Sequence, residues 1–206
     1  MVIDGLEKGK SVWIIGAGST LKSLNPEEFK NRTTIGINNM SDFIVPTYHL
    51  WTNTQRWIEF GSRCDARSRL LIGERVTNEI VRQHFQGSYI RINYIDKDED
   101  SISYRDGIIR GRFRTAGCLS IVLAHIMGAS DINIVGMDGY TLHGRNSIDK
   151  KRASQHIYGK GMTDGTSWKE CERKDELVNE VLNNIRNFGV KFRITTPTMF
   201  KEFSNG

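Results

Sequence analysis

The stretch from Thr115 to Gly128 constrains the fold more than any other part of this chain. Thr115-Ala116-Gly117-Cys118-Leu119-Ser120-Ile121-Val122-Leu123-Ala124-His125-Ile126-Met127-Gly128 is apolar nearly all round, the pattern of a helix buried on every side. Thr115 is a suitable N-cap and Gly128 a suitable stop. After a short Ala129-Ser130-Asp131 turn comes the apolar strand Ile132-Asn133-Ile134-Val135, which ends at Gly136-Met137-Asp138-Gly139-Tyr140. A buried helix feeding a strand is half of a βαβ unit, and that unit requires a parallel sheet covered by helices. The expected fold class is α/β, with a Rossmann-like, mostly parallel sheet and helices on both faces.

Other apolar runs fit the same plan. Ser11–Ile15 reads as a buried strand ending at Gly16-Ala17-Gly18-Ser19, and Leu21–Phe29 as a short helix or turn interrupted by Pro26. Thr33–Ile37 is a second strand stopping at Asn38-Asn39; Tyr48–Trp51 is a third, stopping at Thr52-Asn53-Thr54 before a helical Gln55–Phe60. Further on, a strand is expected at Arg69–Ile72, a helix near Glu79–Phe85 and a strand around Tyr89–Tyr94. The acidic run from Asp96 to Asp100 lacks the spaced ligands of a calcium loop and reads as a solvated turn. An amphipathic helix is expected over Lys169–Phe188, with Leu177, Val181, Leu182, Ile185 and Phe188 on one side, and a last strand at Val190–Ile194.

Residues 141–169 carry almost no apolar periodicity. A long irregular stretch inside a compact domain is usually functional, so a flexible active-site lid over one nucleotide-binding α/β domain, residues 1–206, is expected. The composition, 38% hydrophobic and 26% charged over 206 residues, excludes disordered and collagen-like chains. No apolar run approaches the roughly 18–20 residues of a membrane span, and the first residues lack the order of a signal peptide. No transmembrane segment and a cytoplasmic location are expected. Cys64, Cys118 and Cys171 are far apart, with no C-x-x-C pair, so neither a disulfide frame nor a zinc site is implied. The net charge of +5 favours anionic partners. Homo-oligomerisation stays open.

In doubly wound folds, ligands bind beyond the carboxyl ends of the strands, and the informative residues lie there. Gly16 and Gly18 allow close backbone approach to a ligand and offer N–H groups to an anion. The dinucleotide fingerprint fails, because Leu21 occupies its third small position and the second strand ends in Asn38-Asn39 where an acid is required. No P-loop motif is present. Asn38 and Asn39 suit a ribose or base edge, since an amide both donates and accepts. Asp138 is the best-placed carboxylate, suited to a ribose or a metal.

Among the histidines, His156 in the lid can take a hydroxyl proton near neutral pH, with His143 as the rival base. His125 reads as a packed core residue. Arg145 and Lys160, together with Lys150, Lys151 and Arg152, crowd the lid with positive charge suited to a leaving phosphate. Arg110, Arg112 and Arg114 form a basic run suited to phosphates or an anionic acceptor. Trp51, Trp57, Tyr140 and Tyr158 are candidates to stack on a base or sugar.

Taken in order, these motifs resemble the bacterial lipooligosaccharide sialyltransferases, CMP-sugar-dependent enzymes distantly similar to MptE-like pterin pyrophosphokinases. The resemblance rests on Gly16-Ala17-Gly18-Ser19-Thr20-Leu21-Lys22, Asn38, Asn53, Arg114-Thr115-Ala116-Gly117, Ile134-Val135-Gly136-Met137-Asp138-Gly139-Tyr140 and Ser154-Gln155-His156-Ile157-Tyr158-Gly159. It implies a glycosyltransferase that moves a sugar from a CMP-type nucleotide donor to an acceptor hydroxyl, with no obligatory cofactor and His156 as general base. It places Gly16, Gly18, Ser19 and Asn38 against the nucleotide, Asn53 near the sugar or phosphate, and Thr115 and Ala116 against the donor. Asp138 falls by the nucleotide and Tyr140 by its phosphate. The chain departs from the family pattern at Ala17 and Ala116, where polar residues are usual, and both changes remove hydrogen bonds to the donor.

Two alternatives belong to other classes. An MptE-like pyrophosphokinase would use ATP and Mg²⁺, with Asp138 as ligand candidate. A nucleic-acid-binding protein, or an enzyme that glycosylates DNA, would use the arginine run on phosphates. The donor sugar, the acceptor, whether glycan or DNA, and the stereochemical outcome are not fixed by the sequence.

Overall fold

A computed structural model describes residues 3–97, 100–144, 156–157 and 167–204. Its elements run in the order β1 (Ser11–Ile15), β2 (Thr33–Ile37), β3 (Tyr48–Trp51), α1 (Thr54–Phe60), β4 (Arg69–Gly73), α2 (Asn78–Arg82), β5 (Tyr89–Ile92), β6 (Tyr94–Asp96), β7 (Ser103–Arg105), β8 (Ile108–Gly111), α3 (Ala116–Ile126), β9 (Asp131–Val135), α4 (Trp168–Asn187) and β10 (Arg193–Ile194). Seven strands form one parallel sheet in the order β10-β9-β1-β2-β3-β4-β5. The fold is α/β and Rossmann-like.

Alternation along each strand loads both faces of the sheet. Val12 and Ile14 of β1 join the large core with β2, β3, β9, α3 and α4, whereas Ile15 joins a second cluster with Leu21, Phe29, Met40 and Val135. In β4, Leu71 faces the large core while Leu70 and Ile72 pack with Trp51, Trp57 and Val81 of the α1–α2 side. Strands apolar at successive positions are the mark of a sheet covered on both faces. Trp51 and Trp57 are fully buried, with ring centroids 5.2 Å apart edge to face, so they are core and not stacking platforms.

Thr115 caps α3 as expected, its hydroxyl accepting from the Cys118 amide at 3.1 Å. Gly128 follows with φ +83°, the left-handed conformation that ends helices. His125 differs from expectation: it is exposed on the final turn, its ring 5.9 Å from that of Phe188. The surrounding apolar run hid the one polar stripe of the helix. In α4 the buried stripe passes through Cys171, Asp175, Val178, Val181, Leu182 and Ile185, so Val178 takes the place assigned to the half-buried Leu177.

Three other segments depart from the sequence pattern. The stretch after β1 forms two 3₁₀ turns, Ser19–Ser23 and Pro26–Phe29, because Pro26 removes a helical donor and Asn25 caps the second turn. The strand expected around Tyr89–Tyr94 divides between two sheets, β5 closing the large one and β6 opening a small β6-β8-β7 sheet. That small sheet, unpredicted, contributes Tyr94 and Ile109 to the large core, joined by Ile102 just before β7. Of the lid expected over 141–169, residues 145–155 and 158–166 lie outside the described residues. Among the described residues, no helix is long and apolar enough to cross a membrane.

Candidate functional site

Beyond the carboxyl ends of β9, β1, β2, β3 and β4 lies a cavity of about 300 Å³. It is lined by Gly16, Ala17, Gly18, Asn38, Asn53, Thr115, Ala116, Asp138, Tyr140 and His156 from the residues singled out in the sequence, together with Arg114. These come from segments more than a hundred residues apart, and the parallel strand order brings them together.

The glycines of the first turn are explained by the neighbouring strand. Gly16 N donates to the Val135 carbonyl and Gly18 N to the Gly136 carbonyl, each at 2.8 Å, so these two amides do not serve the anion cradle expected of them. A side chain at Gly16 would lie 2.8 Å from Gly136 C and nearer still to its carbonyl oxygen. At Gly18 it would collide with the Asp138 carboxylate. Asp138, buried, accepts from the Thr20 amide at 3.0 Å and from the Thr20 hydroxyl, with Ser19 Oγ at 3.5 Å. A carboxylate expected beside ribose or metal therefore clamps the glycine turn to the end of β9.

Asn38 stands where β2 ends, at φ +55°, a left-handed conformation that Asn tolerates better than most residues. Its Oδ1 is buried and has no hydrogen-bond partner among the described residues. An orphaned buried acceptor on a cavity wall is a place for a ligand donor. Its carbonyl is in hydrogen-bond contact with Nε2 of His49, a fully buried residue of β3. Burial pushes the His49 imidazole down to about 4 despite that bond; the ring is neutral at pH 7, so Nε2–H is the donor.

The N-terminus of α3 forms another wall. With Thr115 satisfying Cys118, the amides of Ala116 and Gly117 have no partner among the described residues, the usual condition of a helix N-terminus that receives an anion. Arg114 precedes them at φ +57°. Asp96 Oδ1 accepts from the Phe113 amide at 2.9 Å and so holds this approach in place. Asp96 thus belongs to the site and is not merely part of a solvated turn, while Asp100 pairs with Arg112.

The basic run does not act as a unit. Arg112 lies off the cavity, its guanidinium tied to Asp100 and, at 3.4 Å, to Glu180. Arg110 belongs to β8, and only Arg114 of the run lines the cavity. Strand alternation at β8 and the turn after it send the three side chains apart.

His156 and Ile157 rest on the glycine turn: His156 bridges Gly18 backbone to backbone, and Ile157 N donates to the Ala17 carbonyl at 2.8 Å. His143 does not line the cavity; its Nε2 lies 2.7 Å from Ser19 Oγ and 3.4 Å from Asp138 Oδ2. Both contacts use one ring nitrogen, so this is not the two-nitrogen relay of a hydrolytic triad. Arg145, Tyr158 and Lys160 lie outside the described residues. Asn53 caps α1, its Oδ1 accepting from Arg56 N at 3.0 Å, which leaves its amide N–H₂ toward other partners.

Several lining residues had no signal in the sequence. Arg56, Arg75, Tyr94, Phe113 and Asp96 reach the cavity from α1, the turn after β4, β6 and the turn after β8. Asp175 of α4 holds the turn after β9, accepting from Tyr140 N at 2.7 Å and from Thr141 N at 2.9 Å and Oγ1 at 2.6 Å, while its burial raises the carboxyl above the usual range. An acid at i, i+3, i+4 spacing with the α4 apolar stripe was the available clue. Among the described residues, no group of three or more His, Cys, Asp or Glu side chains is placed to hold a metal ion.

No family model matches the sequence, and no curated protein matches it. Among solved structures, the chain is similar to the sialyltransferase CstII from Campylobacter jejuni in complex with a substrate analogue, cytidine-5'-monophosphate. The TM-score is 0.51 at 13% identity, covering 96% of this chain and 85% of that one. At that identity, what the two share is the fold: a Rossmann-like α/β sheet of the kind seen in a sialyltransferase.

Proposed function

We propose that this chain is a glycosyltransferase that binds a CMP-type nucleotide sugar in the cavity at the carboxyl edge of the sheet. The observation that carries the proposal is Asn38 Oδ1, a buried orphan acceptor on the wall of a cavity that the glycine turn, the α3 N-terminus and His156 also line. Support comes from the fold shared with a sialyltransferase whose structure holds cytidine-5'-monophosphate.

In this reading Asn38 accepts from the nucleoside. Gly16, Ala17 and Gly18 shape the floor, and Asp138, with Ser19 behind the lining, keeps that floor rigid. The amides of Ala116 and Gly117, with Arg114, Thr115 and Tyr140, receive the negative charge that grows on the departing phosphate. His156 accepts the proton of the acceptor hydroxyl while its oxygen forms the new bond to the anomeric carbon and the bond to the phosphate oxygen breaks. His143 instead steadies Ser19 and Asp138. Asn53 offers its amide N–H₂ to the sugar. The segment 141–169 acts as the lid, and one domain carries the whole site.

The deciding experiment is calorimetric titration with CMP, UDP, GDP and ATP, the last with and without Mg²⁺, on the wild type and His156→Ala. CMP should bind both proteins, and His156→Ala should lose turnover of a CMP-sugar by about a hundredfold or more. Binding of ATP only, dependent on Mg²⁺, would replace this proposal with a pyrophosphokinase. Salt-dependent binding of DNA that survives His156→Ala, with no response to CMP, would replace it with a nucleic-acid-binding role.

A further inference from the structure

We infer that the β3–β4 end of the cavity is a separate anion subsite, built by Arg56 and Arg75, that takes a carboxylate or phosphate carried by the transferred sugar or by the acceptor. This rests on the glycosyl-transfer proposal above.

The placement follows from the sheet. Neighbouring strands lie about 4.8 Å apart, so the turn after β4 stands about 14 Å from the glycine turn after β1. A nucleotide anchored over β1, β2 and the α3 N-terminus leaves its far side, where the sugar and acceptor meet, toward β3 and β4. Arg56 on α1 and Arg75 after β4 line that side. Tyr94 and Phe113, edge to face at 6.2 Å, give it an apolar wall.

The two guanidiniums are incompletely satisfied. Arg56 has a side chain only 13% exposed and bonds Glu59 through Nη1 at 2.6 Å; its other donors have no partner among the described residues. A mostly buried guanidinium whose remaining N–H donors lack acceptors favours a ligand that supplies them, and a carboxylate or phosphate oxygen is the strongest such acceptor. Arg75 approaches Asp96 Oδ2 at 3.6 Å, an ion pair beyond hydrogen-bond length, while the other oxygen of Asp96 is held by Phe113 N. Its fork of donors suits a carboxylate or phosphate in bidentate geometry. A neutral ligand would cover the remaining donors of Arg56 without an anion to accept from them and would bind more weakly by that cost.

The test measures binding of CMP, CMP-sialic acid, sialyllactose, lactose and inorganic phosphate to the wild type, Arg56→Gln and Arg75→Gln, with melting curves for each. Arg75 is 63% exposed, so its variant is the safer one for folding. If the donor carries the anion, each variant loses about tenfold or more in affinity for CMP-sialic acid and keeps its affinity for CMP. If the acceptor carries it, the wild type prefers sialyllactose to lactose and the variants lose that preference. Folded variants that bind every anionic probe as the wild type does overturn the subsite. Should the wild type bind no CMP, the glycosyl-transfer proposal falls by itself. In that event, or if neither carboxylate probe binds, inorganic phosphate decides: NMR shifts at the Arg56 and Arg75 side-chain N–H groups support the subsite, and their absence ends it.

Discussion

Replacing Gly18 with alanine isolates the contact on which the floor of the cavity depends. Gly18 has φ −66° and ψ 150°, a conformation any residue adopts, so on backbone grounds alone Gly18→Ala should stabilise the protein by about 0.4–1 kcal/mol. The side-chain geometry reverses the sign. The new Cβ would lie 2.7 Å from Asp138 Oδ2 and closer still to Oδ1 and Cγ, and Asp138 cannot retreat without losing its bonds from Thr20. Overpacking and the strained charge-assisted bonds together cost about 3 kcal/mol, a fall in Tm of about 6–12 °C for a chain of this size. Thermal and urea unfolding measure it. In an Asp138→Ala background the same substitution should cost less than about 0.5 kcal/mol, because the obstacle is gone. A Gly18→Ala protein as stable as the wild type, or an equal cost in both backgrounds, would refute the clamp.

Other outcomes follow from the same geometry. His49 titrates at about 4 when folded, against 6.5 for an ordinary histidine, because burial opposes its charge. Its depressed value means that the unfolded chain binds the proton first. The stability held above pH 6.5 is therefore lost as the pH falls toward 4, about 3 kcal/mol in all, and His49→Gln should flatten that part of the stability profile. Asn38→Gly should weaken CMP binding about tenfold by calorimetry with little change in Tm, since its Oδ1 bonds nothing in the protein and glycine adopts φ +55° without steric strain. Arg112→Gln should leave CMP affinity within twofold of wild type, whereas Arg114→Gln should lower it about tenfold; equal effects would contradict their separation.

Local pattern carried much of the fold. Short apolar runs stopped by glycine or amide residues, and a helix apolar nearly all round, are legible because burial on both faces leaves an uninterrupted run in each element. Asn38, Asn53, Thr115 and Asp138 were legible as candidates because each occupies the end of such a run, where a parallel sheet gathers its polar groups. The β6-β8-β7 sheet was not, since its strands are too short to show a period.

What each of those residues touches depended on pairing between distant segments. Ser19 and Asp138 are 119 positions apart and meet because β1 lies beside β9; that adjacency gives the glycines their reason and turns an apparent ligand carboxylate into a clamp. Arg112 and Arg114, two positions apart, part company because one meets Asp100 and Glu180 while the other turns to the cavity. Arg56 and Arg75 belong to the site only because β3 and β4 follow β2 in the sheet. A side chain's local pattern sets the element it sits in. Its partners come from long-range strand order, which balances the burial of every face at once and is written in no single segment.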